Sequence, residues 1–380
     1  MILVAVCDST RGIFIPIFKN EFNINNTKIG LMITISTLGY TVFTYLGGIL
    51  CQKKGQKRVY SIGLLIISIS FLLLNFTPNY IILIILMFLI NGGQAFLAIS
   101  SNTIIPIIFI SFQAIIMNLA HFNYGMGLAL SQRISGMLLY RGITWRRIYL
   151  YLSIITFIVY LLLFFINIPV INKSKDDNKL KSKEIFKDKL LYFYIFALGF
   201  YVFSEIATGN WFVNLMENGY RYNKNQSSYY IFLFSALFAL GRLLGGFLVE
   251  KFNYIKAVCT SLAVALMMYT IGITLGQKGL ILISLSGIFF SIVYPTVVLT
   301  ISKVYSTNSS YVTGIVVTLS SFVNMIISFL MGYLNDLIGI YTSYYLIPIS
   351  LFISLMFMFL IHKNIKKISL KFLTYRGEDL

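Results

Sequence analysis

The sequence predicts an all-α membrane protein: twelve transmembrane helices in two pseudo-symmetric six-helix bundles. Three observations predict it. Of the 380 residues, 58% are hydrophobic and only 11% are charged, whereas a soluble chain of this size carries about 25% charged residues. The apolar residues gather into runs of about 20, the length needed to cross a bilayer. A short motif from the first run returns, with altered letters, 197 positions later.

Windows of hydropathy place the spans near 2–18, 29–51, 59–77, 80–105, 112–140, 148–169, 191–215, 228–249, 255–275, 279–301, 311–335 and 340–362. The first begins abruptly, as a chain started a few residues late would. Asp8 and Arg11 interrupt it and no basic segment precedes it, so it does not read as a signal peptide. The turn at Ile107 to Phe112, between spans four and five, holds no charge. Between spans six and seven lies "NKSKDDNKLKSKEIFKDK", a charged linker that cannot bury a core. It divides the chain into a first bundle (1–171), a linker (172–189), a second bundle (190–363) and a basic tail (364–380).

The net charge of +18 would suit nucleic acid, but the basic residues are confined to gaps between apolar runs. No nucleic-acid partner is expected. With both termini cytoplasmic, the inner loops and tail hold nineteen basic residues. These are Lys53, Lys54, Lys57, Arg58, seven linker lysines, Lys251, Lys256, Lys303, Lys363, Lys366, Lys367, Lys371 and Arg376. The outer loops hold eight: Lys19, Lys28, Arg141, Arg146, Arg147, Arg221, Lys224 and Lys278. The positive-inside bias therefore predicts cytoplasmic termini. Abundant isoleucine, lysine, asparagine and tyrosine fit an AT-rich bacterial genome, hence a bacterial inner membrane. Cys7, Cys51 and Cys259 show neither disulfide nor metal spacing.

The halves repeat. "DSTRGIF" (8–14) aligns with "EIATGNW" (205–211): Asp8 with Glu205, Gly12 with Gly209, Phe14 with Trp211. "YLGGILCQKKGQKRV" (45–59) aligns with "LLGGFLVEKFNYIKAV" (243–258), pairing Gly47-Gly48 with Gly245-Gly246 and Lys53 with Lys251. Parallel six-helix repeats facing a central cavity are a transporter architecture.

The segment "GGILCQKKGQKRV" resembles the signature loop between helices two and three of the major facilitator superfamily. Gly48, Lys53, Gly55, Lys57 and Arg58 fit that pattern; Gln52 replaces its usual acid, which weakens the charge latch the loop provides. In the second half Glu250 and Lys251 keep the acid and base, and Asn253 replaces the glycine. "CDSTRGIFIPIF", "NLAHFNYGMG" and "FYVFSEIATGNWF" are similar to the fucose–proton symporter-like branch. That branch usually has a helix-four acid four residues before an asparagine. Here Asn102 has Ala98 at the acid position. The drug–proton antiporters often carry Gly-Pro in helix five, where Ser131-Gln132 stand. The resemblance implies a monomeric secondary transporter, not an enzyme, moving a small polar solute, such as a sugar, with protons. A drug or metabolite exporter, or a non-transporting sensor or lipid-handling protein, are the alternatives.

Ionisable groups inside spans are functional candidates. Asp8 and Arg11, at i and i+3, share a helix face; they either neutralise each other or form a coupled proton site. Glu205 has Thr208 where Asp8 has Arg11, so no base lies on its own helix and it is the leading proton carrier, unless a base on another helix pairs with it. Arg133 is an anion receptor or a partner for either acid. Arg242 suits snorkelling or helix packing near the inner end of span eight, beside the loop residues Glu250 and Lys251. His121 is a relay candidate or a packing residue. Gln94, Asn102, Asn123, Tyr124, Asn210, Trp211, Tyr294 and Asn324 are candidate cavity groups, with Trp211 able to stack on a sugar face. Each serves equally as interhelical glue. No metal cluster, phosphate loop or nucleophile–base set is present in the sequence, so no cofactor is expected and ATP-driven transport by this chain alone is excluded.

Overall fold

The computed structural model describes residues 1–108, 113–165, 185–251, 254–305 and 309–375. Most of the 172–189 linker, the end of the tail and most of the Ile107 to Phe112 turn lie outside these. Twelve spans are present: α1 Ile2–Glu21, α2 Asn26–Lys54, α3 Gln56–Leu74, α4 Tyr80–Ile108, α5 Gln113–Tyr140 and α6 Trp145–Leu162, then α7 Lys189–Asn214, α8 Lys224–Lys251, α9 Tyr254–Thr274, α10, α11 Ser309–Leu337 and α12 Leu346–Tyr375. The tenth, read in the sequence as one run, is broken into Leu280–Leu285, Gly287–Phe290 and Val293–Val304. α12 starts later than the hydropathy indicated and runs on through the basic tail.

Polar residues mark the ends. Asn25 caps α2 by accepting from the Lys28 amide, Thr144 caps α6 at the Arg147 amide, and Asp188 caps α7 at the Leu190 amide. Gly55, at φ +82°, makes the sharp turn from α2 into α3, a backbone region that glycine enters without penalty. Ten of the twelve spans are long and apolar enough to cross a membrane by composition. Among the described residues α1 and α5 do not meet that criterion; both carry polar groups that bond to the other bundle.

The end of the molecule where α1 begins and α6 finishes is termed the linker face, the opposite end the far face. Between bundles, α1 packs on α7, α2 on α11 and α5 on α8. In lipid these contacts depend on close backbone approach rather than on burial of apolar surface. The repeat-related glycines meet where α1 crosses α7: a Cβ on Gly12 would lie 2.1 Å from the Gly209 carbonyl oxygen. At the α2–α11 crossing, a Cβ on Gly30 would lie 3.1 Å from the Gly332 Cα. The repeat legible in the sequence is thus a physical contact between its two copies. Large apolar side chains such as Ile81, Ile85, Leu162 and Phe359 are exposed on the perimeter, where lipid would cover them.

Candidate functional site

Mid-span on α1, Asp8 is held by the rest of its own bundle. Its Oδ2 accepts from Gln94 Nε2 on α4 at 2.5 Å and from the Tyr124 hydroxyl on α5 at 2.6 Å. Arg11, one turn on, keeps Nη2 4.0 Å from Asp8 Oδ1. Its other donors turn elsewhere: Nε donates to Asn210 Oδ1 on α7 at 3.0 Å, and Nη1 to Asn91 Oδ1 on α4 at 3.4 Å. Arg11 therefore ties the bundles together as well as balancing Asp8. Asn91 was not singled out in the sequence, although its "NGGQ" setting shares a helix with Gln94.

Glu205 is not unpaired, as its own helix suggested. Arg242 reaches it from α8, with Nη2 4.0 Å from Oε1. Arg242 therefore pairs with an acid as well as packing: its guanidinium lies 4.3 Å from the Phe238 ring centroid and 5.9 Å from that of Tyr124, so the snorkelling reading is corrected and the packing reading stands beside the ion pair. Spacing along one helix could not reveal a partner supplied by another. Tyr124 thus joins the two centres, its hydroxyl on Asp8 and its ring toward Arg242. The result is one acid–arginine pair from each half, meeting at the interface.

The two acids keep more accessible side-chain surface than their arginines. The Asp8 and Glu205 side chains retain 27% and 24% of their exposure, against 5% for Arg11 and 14% for Arg242. Among the described residues, the hydrogen bonds between the bundles fall on the far-face side of these acids. Asp336, near the end of α11, accepts four of them at the start of α2. Asn26 N and Nδ2 donate to Oδ1 at 2.9 and 2.8 Å; Thr27 N and Oγ1 donate to Oδ2 at 2.6 Å each. At the pseudo-equivalent α5–α8 crossing, Arg133 Nη1 donates to the Asn225 carbonyl, Asn225 Oδ1 and Ser228 Oγ at 2.9, 2.7 and 3.1 Å. Ser235 Oγ donates to Gln132 Oε1 at 2.6 Å, and Thr34 Oγ1 to the Met325 carbonyl at 3.2 Å. The far face is clamped shut over the acids. A cleft of about 410 Å³ lined by Asn20, Tyr140, Glu217 and Lys224 lies outside the clamps.

This geometry sorts the sequence candidates. Arg133 belongs to the far-face clamp and touches neither acid, which corrects its reading as a partner for Asp8 or Glu205. Trp211 is 1% exposed, so it is packed in the second bundle and offers no face to a solute. Asn324 is equally buried, with Oδ1 accepting from Ser328 Oγ at 3.1 Å and Nδ2 unpartnered. Asn210 is engaged by Arg11. Asn123 and Tyr294 are half-buried, and Asn102 is exposed toward the linker end of α4. Of the loop residues, Lys53 and Arg58 are exposed and a Cβ on Gly48 would touch nothing within 4 Å. The side chains of His121, Glu250 and Lys251 lie outside the described residues. Among the described residues no group of His, Cys, Asp or Glu is arranged to hold a metal.

The clamp supplies a prediction. Asp336 accepts at a helix N-terminus, where such a group contributes about 0.5–2 kcal/mol. Asp336→Ala should raise the population open to the far face by about 2- to 30-fold. The readout is modification of a cysteine placed at Ser131 in a cysteine-free chain, by an impermeant thiol reagent added from the far face. An unchanged rate would show that the clamp does not hold the gate.

The family model of the Major Facilitator Superfamily matches residues 1–310 and 212–371. The chain belongs to the Major Facilitator Superfamily. The cis,cis-muconate transport protein of Acinetobacter baylyi (strain ATCC 33305 / BD413 / ADP1) is 24% identical over 250 residues, covering 61% of this chain; the chain spans 60% of that relative's length. The fold matches a bacterial homologue of the human lysosomal transporter Spinster, inward-facing and occupied, with TM-score 0.77 at 14% identity, covering 95% and 94% of the two chains. It also matches the xylose transporter XylE from E. coli, inward open, with TM-score 0.78 at 12% identity and coverage of 94% and 93%. The E. coli fucose:proton symporter FucP gives TM-score 0.66 at 18% identity, with coverage of 95% and 96%. Each is similar to this chain in fold.

Proposed function

We propose that this chain is a secondary active transporter that carries a small polar solute by alternating access, coupled to protons through Glu205. The observation that carries the reading is the pair of partly accessible acids, one per bundle, each 4.0 Å from an arginine within the spans where the bundles meet. Ionisable groups inside spans are costly, and those retained there commonly mark a substrate or ion pathway. The 4.0 Å separations are ion pairs without a direct hydrogen bond, a contact that protonation of the acid would release at modest cost. In this reading residues 1–171 and 190–363 are the rocking bundles, 172–189 and 364–380 the cytoplasmic linker and tail, and the protein works as a monomer in a bacterial inner membrane with both termini cytoplasmic. The relatives named for muconate transport and for sugar–proton symport fit a small polar solute of either kind.

The non-transporting reading draws on the same ion pairs, since it requires both acids to be locked. It is opposed by the accessible surface both acids keep and by the 4.0 Å separation, too long for a hydrogen bond, within either pair. Proteoliposomes with an imposed pH gradient separate the cases. Accumulation of a sugar or organic acid down the proton gradient supports import; proton-driven loss supports export of a drug or metabolite; no gradient-dependent movement across the panel supports the sensor.

A further inference from the structure

We infer that the central site takes the carboxylate group of an organic anion, and that Arg242 is its receptor. This rests on the transporter reading and names its substrate class. A guanidinium presents five donors in a planar fork that matches a carboxylate edge-on. The two central arginines differ in how those donors are used. Arg11 is consumed by Asn210, Asn91 and Asp8. Arg242 is not: its Nε is buried without a hydrogen-bond partner, and Glu205 stands 4.0 Å off. A buried donor left unmade costs about 1–3 kcal/mol, so a ligand that satisfies it is favoured by the same term. A second orphan lies beside the same centre. Gln94 is 3% exposed, its amide donates to Asp8, and its Oε1 is buried and unpartnered. Arg242 offers a cationic fork and Gln94 an acceptor for a hydroxyl or protonated carboxyl, with the Tyr124 ring between them. Trp211, the ring the sequence offered for stacking on a sugar face, is packed away.

The geometry also states how a proton would be coupled. With Glu205 ionised, Arg242 has a carboxylate partner already. A proton on Glu205 removes that partner, and the anion replaces it. One proton and one carboxylate then enter together, and the charge around Arg242 is the same before and after. The groups facing Glu205 are Tyr201 on its own helix, Arg242 on α8, Asp8 on α1, Tyr124 on α5 and Tyr294 on α10. Among the described residues Arg242 is the one base in this set, so binding should weaken as pH rises and Glu205 competes for it.

The test is thermal-shift titration of the purified full-length chain with succinate, adipate and gluconate, against xylose, fucose and glycerol, at pH 6 and pH 8. The inference expects carboxylates to stabilise the wild type, more strongly at pH 6, and neutral solutes to give no shift. Arg242→Gln should weaken carboxylate binding by about tenfold or more, with Arg242→Lys keeping part of it. Glu205→Gln should bind equally well at both pH values, a gain that a misfolded variant cannot show. Stabilisation by xylose or fucose that survives Arg242→Gln would overturn the carboxylate assignment while leaving transport standing. No shift with any carboxylate, or a carboxylate shift indifferent to Arg242, would also overturn it. The transport reading fails separately, when no solute moves with protons in proteoliposomes.

Discussion

Gly12→Val is expected to abolish transport while leaving the helices formed, and Gly209→Ala is expected to be tolerated. The two glycines face each other across the α1–α7 crossing, but their missing side chains point differently. A Cβ on Gly12 would lie 2.1 Å from the Gly209 carbonyl oxygen and 3.2 Å from the Asn210 Cα; a Cβ on Gly209 would meet nothing within 4 Å. The clash is with backbone, so no rotamer change relieves it. Overpacking of this kind costs about 1–3 kcal/mol, and here the cost falls on the state closed at the far face. The population open to that face should rise by about 5- to 150-fold. The thiol-labelling rate at Ser131→Cys from the far face reads this directly. Equal labelling in the two glycine variants would show that the crossing is not the gate.

Glu205→Gln is expected to separate exchange from accumulation. Glutamine keeps the shape and cannot carry the proton, so a solute should still cross in both directions. A gradient of one pH unit supplies about 1.4 kcal/mol per proton, enough for about tenfold accumulation of a solute moving with one proton. Wild-type chain should approach that ratio, and Glu205→Gln should fall to a ratio of one while counterflow of labelled solute continues. Loss of both activities would assign Glu205 to structure instead of coupling.

Much of the fold was legible because membrane helices announce themselves one at a time. Length and apolarity fix a span without reference to its neighbours, and the linker and repeat fix the grouping. The break in α10 falls at Ser286 and at Ser291-Ile292 in "LILISLSGIFFSIVYP", and hydropathy windows pass over it because these few residues do not interrupt the apolar run. The site was legible in part for a related reason. Asp8, Gln94, Tyr124 and Glu205 stand out as polar groups within apolar runs, and the structure brings them to one depth. Which base meets which acid depends on how helices cross. Arg242 lies 37 positions from Glu205 in sequence, and nothing local marks it as the partner. Arg133 looked central by the same criterion but sits at the far-face clamp, because α5 carries polar groups along its whole length. Asp336 carries no mark in the sequence beyond being an acid at a helix end, although four donors from α2 converge on it.

Proton movement through Glu205 is tested most directly by a pH-sensitive dye sealed inside proteoliposomes, read as solute is added outside without any imposed gradient. The account predicts that a transported solute acidifies the lumen with wild-type chain, and that Glu205→Gln gives no acidification although labelled solute still exchanges. Acidification of equal size with Glu205→Gln would contradict it.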